Sequence, residues 1–376
     1  MNKRIAIIGA GASGCMCAYF LLTQGFDITL FDKGTPLRTL LPTGGGRCNL
    51  AHAEFDFKEL AKNYPRGEKF LYSVFSKFST SDTLEVFEEM GIKTYIQENG
   101  RIFPESNSAK KVREVILDKI KQTSFIKEEV LKIKQIDNGF CLKTDKAEYL
   151  FSDIIFANGG HSGYKIIESL GVKIIEPKPS LVGFNTKEDF KTLSGTVVKN
   201  ASVCGQTNDL LFTHFGVSGP LIYTISSLKA FDKMPYKLSI DLAPDLVDLQ
   251  KELNENPHKE IKNILSNYIP QKITSYILKD MDEKTKAHKI SGAIRDSILN
   301  KIHNFEITIF STDKGEETVT AGGIDLDEIN PKTMELKNIP NCYCIGEVLN
   351  IDGLCGGFNL QNAWSTAFVC ASALSN

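Results

Sequence analysis

The segment Ile5-Ala-Ile-Ile-Gly9-Ala-Gly11-Ala-Ser-Gly14 restricts this chain more than any other stretch. A short apolar strand precedes three glycines in GxGxxG spacing, and a helical pattern follows to about Gln24, with Gly25 where a helix-ending glycine belongs. Each glycine has a task in such a turn. Gly9 permits the tight bend, Gly11 lets the backbone approach a pyrophosphate, and Gly14 lets helix and strand pack closely. Ala12 and Ser13 then open a helix whose free N–H groups and partial positive charge suit phosphates. Phe26 to Phe31 reads as the next strand, and Asp32 at its tip is placed to accept hydrogen bonds from ribose hydroxyls and to repel a 2′-phosphate. The bland alternative is a chance glycine turn; the flanking strand, helix and acid favour a dinucleotide site.

Lys3 and Arg4 precede an uncharged run of 22 residues, Ile5 to Phe26, long enough for a signal peptide or a membrane span. The glycine spacing inside it favours a buried strand, turn and helix. The expectation is therefore a cytoplasmic chain with no membrane partner. Its 376 residues allow two or three domains, and a net charge of −2 with no long basic stripe argues against a nucleic-acid partner. Nine cysteines without a CxxC pair read as reduced, buried thiols, and no metal site is expected.

Along the chain, 55–92 is mostly helical and Ala109 to Lys121 is an amphipathic helix. Val130 to Phe151 reads as a hairpin with Asn138-Gly139 at its turn, and Asp153 to Phe156 as a buried strand entering Ala157-Asn158-Gly159-Gly160. Residues 181–241 are strand-like. Residues 246–302 are charged and helical, interrupted by Pro257 and Pro270. Strand character returns at Phe305–Phe310 and Glu317–Thr320. The chain then runs through a strand at Cys342–Ile345 and a glycine-rich loop to a final helix at 359–374.

The C-terminal part selects FAD over NAD as the cofactor. Gly346-Glu347 ends a strand with a carboxylate suited to ribityl hydroxyls. Gly356-Gly357-Phe358-Asn359-Leu360-Gln361 opens a helix whose N-terminus suits the flavin edge that gains negative charge on reduction. The alternative is a solvated acid and plain turns. Thr43-Gly44-Gly45-Gly46-Arg47-Cys48-Asn49 is a second glycine loop, with Arg47 able to pair with phosphate; a flexible surface loop is the competing reading.

Taken in order, GAGASG at 9–14, TGGGRCN at 43–49, GRIFPESNSA at 100–109 and ANGG at 157–160 resemble one family. LFTHFGVSGP at 211–220, TAGGI at 320–324 and GEVLNIDGLCGGFNLQNAW at 346–364 continue the match over nearly the full length. It is the family of three-domain bacterial flavoproteins related to aminoacetone oxidase and to the bile-acid-pathway flavoprotein BaiN. The resemblance implies an α/β fold: a Rossmann-like FAD domain from the two chain ends (1–180 and 321–376), an inserted β-barrel-like domain (181–243 and 303–320) and a helical domain within it (244–302). Composition breaks fall near the same borders. The resemblance implies FAD contacts at Gly9, Gly11, Ser13, Gly14, Asp32, Lys33, Gly45, Gly46, Arg47, Cys48 and Asn49, at the Val130 backbone, at Gly346 and Glu347, and along 356–361. Ala12, Gly44, Ala157 and Gly159 complete the expected cradle. Two departures stand out: a shortened His161-Ser162-Gly163-Tyr164 loop after ANGG, and Asn350 where an aspartate is common.

For proton transfer, His214 and His161 are the candidates, each with a packing role as the plain alternative; the other four histidines read as surface or structural. Cys48 beside Arg47 invites a lowered thiol pKa, although a structural or flavin-contacting thiol fits better. Three functions stay open on a small-molecule substrate: an amine or aminoketone oxidase using O₂, a reductase of an unsaturated substrate drawing on NAD(P)H, and a non-catalytic flavin-binding redox sensor.

Overall fold

The computed structural model describes residues 3–313 and 319–375, and divides into two compact units, Met1–Lys178 with Val319–Asn376, and Pro179–Thr318. The first unit is built on a five-stranded parallel sheet. Its spatial order is Cys342–Cys344, Asp153–Phe156, Arg4–Ile8, Asp27–Phe31, Ser124–Ile126. The apolar run Ile5–Ile8 is central because all its residues are buried, as a parallel strand covered on both faces requires. From this strand the chain moves first to one side, to Asp27–Phe31, and later to the other, to Asp153–Phe156. The reversal makes the C-terminal end of Arg4–Ile8 a topological switch point, where ligands bind in such sheets.

The first helix, Ala12–Thr23, is apolar nearly all round and packs against the last, Phe358–Leu374. Helices Phe57–Ala61, Glu68–Phe75, Thr80–Glu89 and Ala109–Lys119 follow the sequence pattern. The expected hairpin is a three-stranded meander of Val130–Ile136, Gly139–Thr144 and Glu148–Phe151. Its first turn is Asp137-Asn138, one residue earlier than expected, since Ile136 faces Gly139. Gly139 is needed for space: a Cβ there would sit 2.1 Å from the Phe151 carbonyl oxygen.

The second unit holds a six-stranded antiparallel sheet ordered Val197–Val203, Gln206–Phe212, Gly216–Ser218, Phe184–Thr186, Phe305–Thr312, Tyr236–Ile240. Its edges meet where Ser202 and Asp241 exchange two backbone hydrogen bonds of 2.8 Å, which closes the sheet on itself as a barrel does. Helices Leu249–Glu255, Ile261–Leu265, Gln271–Ile277 and Gly292–His303 share one buried core with these strands. Within the stretch read as strand-like lies a helix, Pro220–Leu228, started by Gly219 and by Pro220 at its first position, with Leu221, Ile222 and Ile225 buried. The expected strand Glu317–Thr320 begins outside the described residues; the strand observed is Val319–Ile324. No helix among the described residues is long and apolar enough to cross a membrane.

Candidate cofactor site

At the switch point the three glycines divide their work. The Gly9 N–H donates to the Phe31 carbonyl at 2.8 Å, and a Cβ on Gly9 would lie 2.3 Å from the Ala157 carbonyl oxygen. A Cβ on Gly14 would fall 1.9 Å from the Gly9 oxygen. At Gly11, in contrast, a Cβ meets nothing within 4 Å. Gly11 caps the first helix with no side-chain hydrogen bond, and no acid occupies the first turn, so the helix start presents free N–H groups to open space. Ser13 is buried under Gly346, where a Cβ would come within 2.5 Å of the Ser13 hydroxyl.

Asp32 accepts the Ala10 N–H at 2.8 Å and the Gly34 N–H at 2.7 Å, which fixes its carboxylate beside the glycine turn. Lys33 pairs with Glu129 at 2.8 Å on the surface. That pair brings the tip of the second strand next to Val130, so the residues expected around the adenosine half are adjacent.

The second glycine loop is ordered rather than a loose surface turn. Gly44, Gly45 and Gly46 form a left-handed run (φ 58°, 68° and 82°), and a Cβ at Gly44 would strike the Phe103 ring and the Asn49 nitrogen. Cys48 also has a left-handed backbone, φ 66°, and is fully buried. Burial pushes its thiol pKa up to about 12 against a smaller opposing hydrogen bond with Thr43, so the lowered pKa suggested by Arg47 does not arise. The Arg47 guanidinium lies 4.1 Å from the Phe103 ring centre and donates to the Gly44 carbonyl through Nε at 3.2 Å.

On the opposite side, Glu347 accepts the Thr320 N–H at 2.8 Å. Burial raises its pKa above the ordinary carboxylate range. The Thr320 N–H, the charge of a protonated His161 and the Gly160 N–H pull it back, and Asp352 adds to the rise. His161 is exposed. Gly160 has no room for a side chain, with Thr320 Oγ1 2.3 Å from its Cβ position. The Tyr164 hydroxyl is pushed up first by burial and then by the Glu347 charge.

The last glycine loop differs in part from expectation. A Cβ at Gly357 would lie 2.4 Å from the Ala51 carbonyl oxygen, and no side chain caps the helix that begins there. Phe358 turns inward, stacked on His52 at 4.6 Å between ring centres. Asn359 ties down the loop, accepting the Gly353 N–H at 2.8 Å and donating to the Gly353 carbonyl at 2.9 Å. Gln361 is fully buried, and its amide is occupied by Thr83 and Ser365. These three side chains are therefore engaged within the fold, and any cofactor contact from them falls to the backbone. Trp364 donates to the Leu50 carbonyl at 2.9 Å. Cys355 is exposed in the same loop, 3.5 Å from an Arg101 nitrogen.

Buried polar atoms without a protein partner test whether a dinucleotide fits. Among the described residues eight such atoms occur; Asn49 Oδ1, Asn158 Oδ1, Asn350 Oδ1, Asn362 Oδ1 and the Tyr164 hydroxyl lie in or next to the glycine loops, whereas Thr123 Oγ1, Asp153 Oδ1 and the Tyr236 hydroxyl lie elsewhere. Buried polar groups are ordinarily paired, so the five atoms beside the glycine loops are ones a polar ligand would satisfy. Together with the open helix start, the orphaned atoms fit FAD. Sequence reasoning missed Tyr164, Thr320 and the buried Arg66–Asp352 ion pair; a carboxylate inside the apolar stretch Val348–Leu354 was the available signal for the last. His214 lies in the second unit, exposed on the turn between Gln206–Phe212 and Gly216–Ser218, its ring edge-on to Phe215 at 5.1 Å. His52, His288 and His303 are held by the Gly356 and Pro257 carbonyls and by Asp241. All nine cysteines are free, six of them buried.

A family model described as HI0933-like protein Rossmann domain matches residues 3–373. The ribosomal RNA dihydrouridine synthase of Haemophilus influenzae is 32% identical, over 98% of each chain. The 3-dehydro-bile acid delta(4,6)-reductase of Clostridium scindens is 28% identical, over 99% of this chain and 98% of its own. Among solved structures, the 3-ketosteroid delta1-dehydrogenase from Sterolibacterium denitrificans shares the fold across 100% of both chains, with a TM-score of 0.54 at 12% identity.

Proposed function

We propose that this chain, which belongs to the HI0933-like Rossmann family and is an FAD-dependent oxidoreductase, is a reductase that saturates a carbon–carbon double bond conjugated to a carbonyl, with uracil bases of RNA as its substrate class. The observation that carries this reading is the full-length likeness to the Haemophilus enzyme. The Clostridium relative supports the bond type: dihydrouridine and a reduced bile acid both arise by adding hydrogen across such a bond. An oxidase using O₂ would share the cofactor and run electrons the other way. A near-neutral net charge led to the expectation of no nucleic-acid partner, but total charge does not decide whether a local site can hold RNA.

The reaction adds a hydride to one carbon and a proton to the other, with NAD(P)H as the electron source. FAD, when bound and reduced, supplies the hydride. The chain does the rest. Gly11 and the first-helix N–H groups would hold the pyrophosphate and Asp32 the ribose, with Arg47 adding a fixed positive charge. Glu347, anchored by the Thr320 N–H, would accept from the cofactor's hydroxyl chain. On the loops after Asp153–Phe156 and Cys342–Cys344, the exposed His161 imidazole and Cys355 thiol are the two groups suited to proton transfer, and one of them delivers the proton. Cys355→Ala and His161→Ala separate them, since only the donor's loss slows saturation.

The deciding experiment incubates the FAD-loaded protein anaerobically with NADH or NADPH and ribosomal RNA from a strain lacking the gene. Mass spectrometry of the digested RNA should show uridine gaining two hydrogens. Unchanged RNA, with aminoacetone oxidised and peroxide released in air, would replace this reading with the oxidase.

A further inference from the structure

The second unit carries a depression of about 490 Å³ that the cofactor chemistry does not use. Its polar walls come from Thr192, Lys262, Gln271, Lys272, Ser275 and Tyr276. Each of these side chains can donate a hydrogen bond, and none is a carboxylate. In a chain of net charge −2, such a concentration of donors is not a by-product of a generally basic surface.

The charges are arranged in a particular way. Glu283 accepts from Lys262 at 2.7 Å and from Ser275 at 2.8 Å, so one carboxylate orients two wall groups at once. These hydrogen bonds, that from Lys262 the larger, hold the Glu283 pKa below the ordinary carboxylate range. Glu283 therefore balances Lys262. Lys272 is exposed, and among the described residues it has no ion pair within 4 Å. Lys279 stands 5.0 Å from the centre of the Tyr276 ring, beside the same depression. The positive charge without a carboxylate partner thus comes from Lys272, while Lys279, whose charge also acts on Asp280, stands beside the aromatic wall.

We propose that this depression is a docking site for the phosphate backbone of single-stranded RNA, separate from the chemistry and serving to position the strand. The proposal rests on the reading of the chain as an RNA uracil reductase. Phosphate contacts set register and orientation without reading sequence, and ammonium groups with hydroxyl and amide donors are the groups that make them. The Tyr276 ring with its adjacent cation matches the aromatic-plus-lysine pattern found along single-strand paths.

The test uses the FAD-loaded full chain and a short fluorescein-labelled oligouridylate, titrated by anisotropy at several KCl concentrations. Lys272→Glu should weaken binding at least about fivefold and lower the slope of log affinity against log salt by about 0.7, the share of one phosphate contact. Lys279→Glu should act in the same direction. Lys237→Glu, which alters an exposed lysine paired with Glu306 elsewhere in the unit, should change neither quantity. Wild-type affinity and slope in both Lys272→Glu and Lys279→Glu would overturn the site. If the wild type reduces uridine in RNA while these variants bind normally, only the site falls. If the wild type neither binds nor reduces RNA, the functional reading falls with it.

Discussion

The first and last helices of the nucleotide-binding unit both start at a glycine without a side-chain cap, but the two starts are built for different neighbours. Around Gly11 the space a side chain would take is open; around Gly357 it is filled by the Ala51 backbone. One glycine leaves open space beside the turn and the other makes room for the chain. A glycine in a motif therefore says little until the volume beside it is known, because a close-packed interior cannot yield to an overlap near 2 Å.

The sharpest way to break this contrast is substitution. Gly14→Ala forces a Cβ to within 1.9 Å of the Gly9 oxygen and should cost about 4 kcal/mol or more, read as loss of soluble protein or a collapsed urea midpoint. Gly11→Val should leave the cofactor-free chain melting within about 1 kcal/mol of wild type, yet abolish FAD uptake. A Gly11→Val protein that purifies fully yellow would erase the distinction. Asp32→Ala comes next. It should weaken FAD by about 1–3 kcal/mol, measured by fluorescence titration, and lower stability without cofactor as well, because the Ala10 and Gly34 N–H groups lose their acceptor. Equal loss in Asp32→Ala and Asp32→Asn would assign the whole effect to charge.

Smaller effects sharpen the ligand side of the contrast. If the orphaned Tyr164 hydroxyl faces the cofactor, Tyr164→Phe should weaken FAD by about 1 kcal/mol while leaving the cofactor-free melt unchanged. The reverse pattern would make the hydroxyl a structural group. Glu347 gives the smallest effect, and its sign is fixed by the direction of its shift. The folded chain holds this proton to higher pH than the unfolded chain. The resulting stabilisation is full below the ordinary glutamate range and is lost as pH rises through the raised folded value. Glu347→Gln should flatten the melting temperature of the cofactor-free protein across that window. An unchanged pH dependence would mean the carboxylate is solvated.

The parallel core was legible because strands such as Ile5–Ile8 and Asp153–Phe156 are short apolar runs delimited by glycine or charge. The glycine turn was legible for the same reason: Gly9, Gly11 and Gly14 are read from spacing alone, and Gly9 and Gly14 stand where a side chain has no room. Side-chain roles were harder. Gln361 and Phe358 lie in the right motif, but their direction depends on Thr83 and His52, which are remote in sequence. Cys48 shows the limit most clearly. Its neighbour Arg47 suggested an activated thiol, and only burial, which is a tertiary property, reverses that. The helix Pro220–Leu228 was hidden among strands because its β-branched residues suit either state.

The strand Cys342–Cys344 hydrogen-bonds to Asp153–Phe156, and Glu347 follows it directly. During translation, the ribosome must therefore deliver the chain through Glu347 before this sheet has all its strands. A nascent chain arrested anywhere in the inserted unit should take up no flavin, so flavin uptake would double as a report that synthesis has passed the last strand of the sheet.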